Sequence, residues 1–570
     1  MIWKPEPQLL ESLDSAIPDI LASQKDNGQF GAEPWISTDQ NVLLSLAAVW
    51  SLEDSRYCGD EAVLSAIVQG GHALIDAQDE EGMFTFRKKD YSTWGQIYMP
   101  WSYSRWIRAY WLTRDAFGSD DRQEWDAALI RGYTGISETC LNRVQNIPAH
   151  HSMGLYFAGL AFERQAWLDQ AIAFGRRVAE TQSEHGWWPE HEGPVVSYNF
   201  VYVDALGTLF TESQDDRLLE ALDRAARFHA AFAYPDGSVV ETVDGRNWYH
   251  PTIRPGNPGF SHTPHGRGFL AQQHERIISA SKPDLPAKDR KASRLTMFNS
   301  GQVFDADYAA SMLLHSGEGE AEPTAGSRDT HAYRMGDLAA VRRSKPWFIC
   351  SNAFRQAPHA NRWGQDWQNF QSVYHDRVGV ILGGGNTKLQ PLWSNFTVGD
   401  VKQLRHTPGD EDPDFLTDAL QHVPDEVAIE EDESTLTVRL LYRDVVGLVS
   451  VVERGDNELG LIYQAENPTG QVEGHLTLVP SFGDQLRLST GDSIPLGEQP
   501  FSWSVPGEAG FVEHNGWRLL LPSGCRIEWP ALPHNPYKKG GEGDPFDGRI
   551  VVVMPFTETQ TQYKMVLQIL

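Results

Sequence analysis

A short motif returns four times in the first half of the chain, each time closing a stretch of helical pattern on a glycine. The four are Gln24-Lys-Asp-Asn-Gly28-Gln-Phe30, Gln78-Asp-Glu-Glu-Gly82-Met-Phe84, Gln182-Ser-Glu-His-Gly186-Trp-Trp188 and Tyr234-Pro-Asp-Gly237-Ser. The glycines stand 54, 104 and 51 residues apart, so the middle gap holds two units and one unit has lost its marker. A period of about 52 residues is the length of a helical hairpin with its loops. The spacing predicts helices over 39–54, 60–77, 98–116, 121–140, 148–163, 165–182, 198–211 and 216–233, with a last one near 303–315. Several are apolar on more than one face, as in WSYSRWIRAYWL at 101–112, which suits helices packed on both sides. Five or six such hairpins imply an (α/α) toroid, incomplete or six-hairpin. An open solenoid and a non-repeating bundle are the alternatives.

Beyond 316 the character changes. Residues 317–330 read as a linker. From 331 onward come short β-branched runs bounded by turn residues: VGVILGGG (378–385), STLTVRLLYR (434–443), ELGLIYQAE (458–466), HLTLVP (475–480), RIVVVMPF (549–556) and YKMVLQIL (563–570). This is the pattern of an antiparallel β-sandwich, without the alternating helices of a βαβ fold. The expected class is therefore multidomain α + β: a helical domain over 1–316, a linker over 317–330 and a sandwich over 331–570. A length of 570 residues, more than one core organises, agrees with two domains.

With 48 basic and 77 acidic residues, the net charge is −29. Such a surface repels nucleic acid and anionic membranes. Cys58, Cys140, Cys350 and Cys525 are too scattered for a zinc motif or a disulfide framework. No apolar run has the length of a membrane span. The start carries no pattern of a signal peptide, so a cytoplasmic location is expected, with a periplasmic or secreted one if a leader precedes the numbered chain.

Equivalent glycine loops should lie at one end of the array, so the segments after them should share a rim. Those segments hold Trp35, Trp94, Asn146, His150, His151, Glu190, Glu192, Tyr198 and Tyr202. After Gly237 come Arg246, Trp248, Tyr249, His250, Arg254, His262, His265 and Arg267, in a stretch, 245–274, without one Asp or Glu. Against the overall charge this is a local basic patch. Aromatic rings beside Arg and His suit a carbohydrate that bears carboxylates.

Asn146…His150-His151, Glu192-Gly193-Pro…Tyr198 on a following helix, and helical hairpins before a β-sandwich together resemble polysaccharide lyases of the heparinase II/III-like and alginate-lyase-like superfamily. His359-Ala-Asn-Arg362…Asp366…Phe370 before Gly383-Gly-Gly resembles that superfamily's histidine–aspartate–phenylalanine strand region, with looser spacing. The resemblance implies β-elimination at a uronate, acting on an acidic poly- or oligosaccharide. A base removes the C5 proton, the bond to the 4-oxygen breaks, and an unsaturated sugar remains. Carboxylate neutralisation is assigned to Asn146 and His151, with His150 as the substitute. Tyr198 is the first choice for the acid/base and Tyr202, one turn on, the second. Arg246 and Arg254 would bind carboxylates, and His250 and His265 would be second bases. Trp35, Trp94, Tyr249, His262, Arg267, His359 and Arg362 complete the expected binding residues.

Other readings stay open at this point. Tyr198, Tyr202, Trp35 and Trp94 could all be core residues, and His150-His151 could be a helix turn without chemistry. No cofactor is expected. A structural divalent cation held among His359, His375, Asp376 and His406 is left open. Glu190, Glu192 and Asp204 could instead serve a glycoside hydrolase, and a carbohydrate-binding protein without chemistry is the third reading.

Overall fold

The computed structural model describes all residues except 1, 191–192, 247–252, 254, 281–302, 405–409, 411–412 and 508. Two compact units emerge. One comprises Met1–Trp188, Tyr198–Ala230 and Ile253–Glu322; the other comprises Pro189–Ser197, Ala231–Thr252 and Pro323–Leu570. The segments that follow Gly186 and Gly237 thus belong to the second unit, although they lie in the helical half of the sequence.

The first unit is helical. Its described residues form α1 (Pro7–Ala22), α2 (Val42–Ser51), α3 (Glu61–Ala77), α4 (Pro100–Thr113), α5 (Ser119–Thr139), α6 (Asn146–Ala161), α7 (Gln165–Glu180), α8 (Val196–Ser213), α9 (Asp216–Ala231), α10 (Pro264–Ala280) and α11 (Ala306–His315). Helices α2, α4, α6, α8 and α11 form an inner layer. Helix α2 packs on α4 and α11, and α4 packs on α6. Thr211 of α8 donates a hydrogen bond to the His315 carbonyl of α11 (3.1 Å). Consecutive hairpins therefore close on themselves as a toroid does. None of the described helices is long and apolar enough to cross a membrane.

The glycine loops show why the motif repeats. In each, the glycine N–H donates to the carbonyl three residues back, as Gly28 to Lys25, Gly82 to Asp79, Gly186 to Ser183 and Gly237 to Tyr234. All four glycines have φ between 78° and 94°, a conformation costly for a residue with a Cβ. Three of them also abut the next outer helix. A Cβ on Gly28 would stand 2.1 Å from the Gln69 carbonyl oxygen, one on Gly186 2.0 Å from that of Arg224, and one on Gly82 3.0 Å from Gly132. The glutamine that opens each of these three motifs spans the same gap. Gln24, Gln78 and Gln182 donate to the carbonyls of Ala66 (2.9 Å), Ala128 (3.2 Å) and Ala221 (2.9 Å). Between α4 and α5 the core is aromatic: Trp106 meets Trp125 edge-on at 5.7 Å, and Tyr103 meets Tyr133 at 5.4 Å.

The second unit is an antiparallel sandwich. Its larger sheet runs Phe501–Ser504, Arg526–Ala531, Arg549–Phe556, Val472–Leu478, Gly379–Leu382, Gln371–His375, Trp347–Asn352, Ala339–Ser344, Thr330–Met335. The smaller one runs Glu426–Glu431, Thr435–Tyr442, Val445–Gly455, Glu458–Glu466, Gln562–Ile569, Trp517–Pro522, Ala509–His514, Gln485–Leu488, Ser493–Pro495. Strand Thr435–Tyr442 alternates buried and half-buried residues, as a strand with one covered face should. Phe396 joins the two sheets, its ring 5.7 Å from Tyr463 and 5.6 Å from Phe556. By contrast, Trp347–Asn352, Gln371–His375 and Val472–Leu478 are buried at every residue, so the larger sheet is covered on both faces.

Part of that cover within the unit is the stretch Ala231–Arg246. Buried Glu241 accepts hydrogen bonds from the Tyr234 hydroxyl (3.0 Å) and the Gly384 N–H (3.0 Å). The Thr242 and Ser372 hydroxyls meet at 2.6 Å, and Asn352 and Asn386 donate to the carbonyls of Thr242 (3.1 Å) and Asp244 (3.2 Å). Burial raises the Glu241 carboxyl above its ordinary value.

Gly186→Ala should cost more than about 2 kcal/mol in urea unfolding, since strain and a backbone clash add. Gly59→Ala is the control, because Gly59 has φ 68° but nothing near its Cβ position; it should cost only about 1 kcal/mol. Equal losses would show that the close approach to α9 does not matter.

Candidate active site

In the helical unit the N-terminal parts of α4, α6 and α11 meet around an ionic cluster, and α8 contributes a carboxylate from its middle. Arg105 grips Asp307 with two hydrogen bonds, Nε to Oδ1 at 3.0 Å and Nη2 to Oδ2 at 2.6 Å. Its Nη1 reaches His150 Nε2 at 3.4 Å, and the Ser104 hydroxyl meets the same nitrogen at 2.8 Å. A guanidinium only donates, so His150 Nε2 accepts and the ring proton sits on Nδ1. That nitrogen faces Asp204 Oδ2 at 4.0 Å, and Trp101 meets the ring edge-on at 4.6 Å. Burial, then the cations Arg105 and Arg108, hold His150 neutral, well below its ordinary range. Burial lowers Arg108 to about 10 and raises the Asp204 carboxyl. Burial and the charge of Asp307 lift Asp305, which caps α11, to about 7.

Asn146 is the first residue of α6, half-buried and one turn before His150 on the same helix face. The exposed N–H groups and positive dipole end of a helix favour an anion there. His151, buried beside it, is lowered to about 3 by burial, while a bond to the Tyr98 backbone opposes the shift. That bond takes its N–H to a carbonyl, so the other ring nitrogen is an acceptor. Tyr198 stands half-buried in the first turn of α8. Tyr202, one turn on, is 2% exposed and stacks on Trp188 at 5.0 Å, while the Trp188 indole donates to the Val178 carbonyl (2.8 Å). Tyr202 is thus part of the core between α7 and α8.

The remaining expected site residues belong to several different elements. The stretch 245–274 is not one loop, because α10 starts at Pro264 with its first turn held by the Thr263 hydroxyl and carbonyl. Proline at the first helical position fits this start. His265 consequently lies on α10 between Asp223 (3.6 Å) and Glu322 (3.3 Å). Arg267 is buried and spends its donors on the Glu320 (2.6 Å) and Ser261 (2.8 Å) carbonyls. His262 meets the Thr211 hydroxyl at 3.3 Å and is lowered to about 4 by burial. Trp35 donates to Gln40 (3.3 Å), and Trp94, 55% exposed, carries Lys88 over its ring at 3.9 Å. Arg246, His359 and Arg362 belong to the β unit. Tyr249, His250 and Arg254, with Glu192 and His406, lie outside the described residues.

Asp366, from the His359…Phe370 motif, is buried with one oxygen on Lys388 Nζ (2.7 Å) and the other on His422 Nε2 (2.8 Å). Lys388 also donates to the His359 carbonyl (2.6 Å). The ammonium already neutralises this carboxylate, so Asp366 does not fit as a ligand to a divalent cation. His375 bonds the Asp456 carbonyl (3.2 Å), and Asp376 pairs with Arg343 (2.8 Å). No cluster of metal-ligating side chains occurs among the described residues.

Sequence reasoning passed over Arg105 and Asp307, which fix the turn bearing Asn146. A signal existed: Arg105 and Arg108 sit in a helix otherwise apolar on several faces, and a cation there needs a buried partner.

Asp307→Asn should cost about 3 kcal/mol by leaving Arg105 unpaired, and Arg105→Met with Asp307→Leu should recover most of it; chemical unfolding of the three variants measures this. A second expectation concerns pH. His151 and His229 are lowered to about 3, His262 and His274 to about 4, and His150 and His315 well below their ordinary value, in every case mainly by burial. Unfolded, each would titrate near 6.5. Their contribution is therefore complete above about 6.5 and is lost as pH falls toward 3, since the unfolded chain takes up protons the folded one refuses. Asp305 opposes this between about 7 and 4. Unfolding free energy should fall from pH 6.5 to 4.5 with a slope of several protons, each worth up to about 1.4 kcal/mol per pH unit; a flat profile would contradict the burial of these rings.

No family model and no curated protein sequence matches the chain. Solved structures do. Heparinase III aligns over 100% of this chain and 85% of its own, at 11% identity and a TM-score of 0.54. The chondroitin AC lyase of Streptomyces coelicolor A3, solved with chondroitin sulphate, aligns over 99% and 80%, at 15% identity and a TM-score of 0.50. Paenibacillus xanthan lyase aligns over 99% of this chain but 57% of its own, at 11% identity and a TM-score of 0.52. Likeness at these identities is likeness of fold: the chain shares with these structures a helical toroid followed by an antiparallel β-sandwich.

Proposed function

We propose that this protein is a lyase that cleaves a uronate-containing poly- or oligosaccharide by β-elimination. The observation that carries the reading is the start of α6, whose first two turns offer Asn146 and a neutral His151 on a fold shared with polysaccharide lyases. In the reaction Tyr198, as the phenolate, takes the C5 proton. The electron pair forms the C4–C5 double bond, the bond from C4 to the glycosidic oxygen breaks, and that oxygen recovers a proton from the Tyr198 hydroxyl. Asn146 donates to the uronate carboxylate at the positive end of α6, opposing the charge that grows as C5 loses its proton. A histidine lowered to about 3 is a poor general base, which favours Tyr198 for the proton. His151, with its N–H on a carbonyl, presents an acceptor to a hydroxyl of the sugar or of Tyr198. His150 acts as a positioning residue, tied through Arg105 to Asp307.

The raised carboxyl of Asp204 gives the hydrolase reading one specific support, since a general acid needs such a shift. Incubation with a panel of alginate, glycosaminoglycans, ulvan-like polymers and rhamnose–glucuronate glycans separates the readings. A lyase produces the ultraviolet absorbance of a conjugated double bond, and Tyr198→Phe should lower that rate at least about 100-fold. New reducing ends without absorbance would establish hydrolysis and sink the proposal.

A further inference from the structure

The β unit gathers at one corner Arg246, expected from the sequence to bind carboxylates, with two aromatic rings from distant stretches, Trp363 and Tyr537. Trp363 and Tyr537 meet edge-to-face, with ring centroids 5.7 Å apart at 67°. The Arg246 guanidinium lies against both, 5.7 Å from the Trp363 ring and 5.9 Å from the Tyr537 ring, and donates to the Tyr537 hydroxyl at 3.1 Å. Tyr537 is 51% exposed, and Lys538 and Lys539 beside it are exposed as well.

The corner is built rather than incidental. Arg362 spends its donors on the carbonyls of Lys538 (3.3 Å) and Lys539 (3.2 Å), so it orders the backbone that presents the two lysines. The loop also closes on itself, Asn535 N–H to the Gly541 carbonyl at 2.9 Å and Gly541 N–H to the Lys538 carbonyl at 3.1 Å. Arg246 is placed by the anchored stretch before it, its N–H donating to the Asp244 carboxylate at 2.8 Å. Glu542, the nearest acid in the loop sequence, lines a different cavity of about 600 Å³ with Pro533 and Trp529, whose walls include neither Trp363 nor Tyr537.

We propose that this corner is a subsite for an anionic sugar ring, with Trp363 and Tyr537 taking the ring's C–H face and Arg246, Lys538 and Lys539 taking its carboxylate or sulfate. A half-buried Trp363 and an exposed Tyr537 supply flat contact area at little entropic cost. A guanidinium already stacked on them is oriented for a planar oxyanion. On a chain with net charge −29, Arg246, Lys538 and Lys539 beside these rings also select where a polyanion first lands. The proposal rests on the acidic-glycan part of the proposed function and is independent of the elimination step.

The full-length protein carrying Tyr198→Phe is titrated with oligogalacturonate, oligoalginate and chondroitin hexasaccharides, and with cellohexaose as a neutral control, by calorimetry and tryptophan fluorescence. At least one acidic oligosaccharide should bind and cellohexaose should not. Adding Trp363→Ala or Tyr537→Ala should weaken that binding about tenfold. Lys538→Gln with Lys539→Gln should weaken it severalfold and flatten its salt dependence. Because Tyr537 and both lysines are exposed, these variants should keep the parent's circular dichroism and unfolding midpoint. In the protein with Tyr198 intact, the same changes should raise KM and spare kcat. Unchanged affinity in the folded Tyr537→Ala and double-lysine variants overturns the subsite, as does the absence of binding by every acidic probe. Binding that depends on Tyr537 without any ultraviolet product would overturn the lyase reading and leave the subsite standing.

Discussion

Every hairpin of the helical unit that keeps its marker hangs on a loop whose backbone comes too close to the next outer helix for a side chain. Gly28 and Gly186 each touch a carbonyl oxygen of that helix where a Cβ would need to sit. The glutamine four residues earlier then bonds a carbonyl one turn away, so loop and helix are joined by a contact that only glycine permits and a bond that only a long amide spans. This clamp sets how one hairpin leans on the next. The clamp ties loops to outer helices, while Arg105, His150 and Asp307 meet among the inner helices α4, α6 and α11.

The meeting is electrostatically expensive. Arg105, Arg108, Asp204, Asp305 and Asp307 gather in this cluster, and Arg105 and Asp307 are in close bidentate contact. A buried ion pair adds little to stability over an apolar substitute, yet losing one partner is severe. Such a cluster fixes geometry more than it adds free energy. Here the geometry fixed is the first turns of α4 and α6, where a proposed carboxylate-binding amide stands at a helix end.

Much of this architecture was legible in the sequence, because glycine spacing and the change from helical to alternating apolar pattern are local signals. Helices α2 to α9 and α11 fell close to their expected spans for that reason. Helix α10 was not among the expected spans, since its acid-free, histidine-rich start was read as part of the rim, with His265 and Arg267 as rim residues. Tyr198 and Tyr202 show where pattern runs out. They are one turn apart on a single helix, and only the position of Trp188 makes the second a core ring. Arg105 needed its partner from α11, two hundred residues away, and no periodicity reports such a pairing. The Trp363–Tyr537 corner was invisible for the same reason, being assembled from three distant stretches of the β unit.

The β unit includes two short pieces, Pro189–Ser197 and Ala231–Thr252, from the middle of the helical half. The chain therefore passes from one unit to the other four times before it settles in the sandwich. During synthesis these pieces emerge well ahead of the strands that receive them. Glu241 and Thr242 leave the ribosome before Ser372 and Gly384 exist. Until the larger sheet forms, a carboxylate and a hydroxyl meant for burial stand in water, and Arg246 has no fixed place. No single cut in the sequence would release either unit whole. The two units are each compact but braided in chain order, and the sandwich must be finished before the segment carrying Arg246 can be anchored.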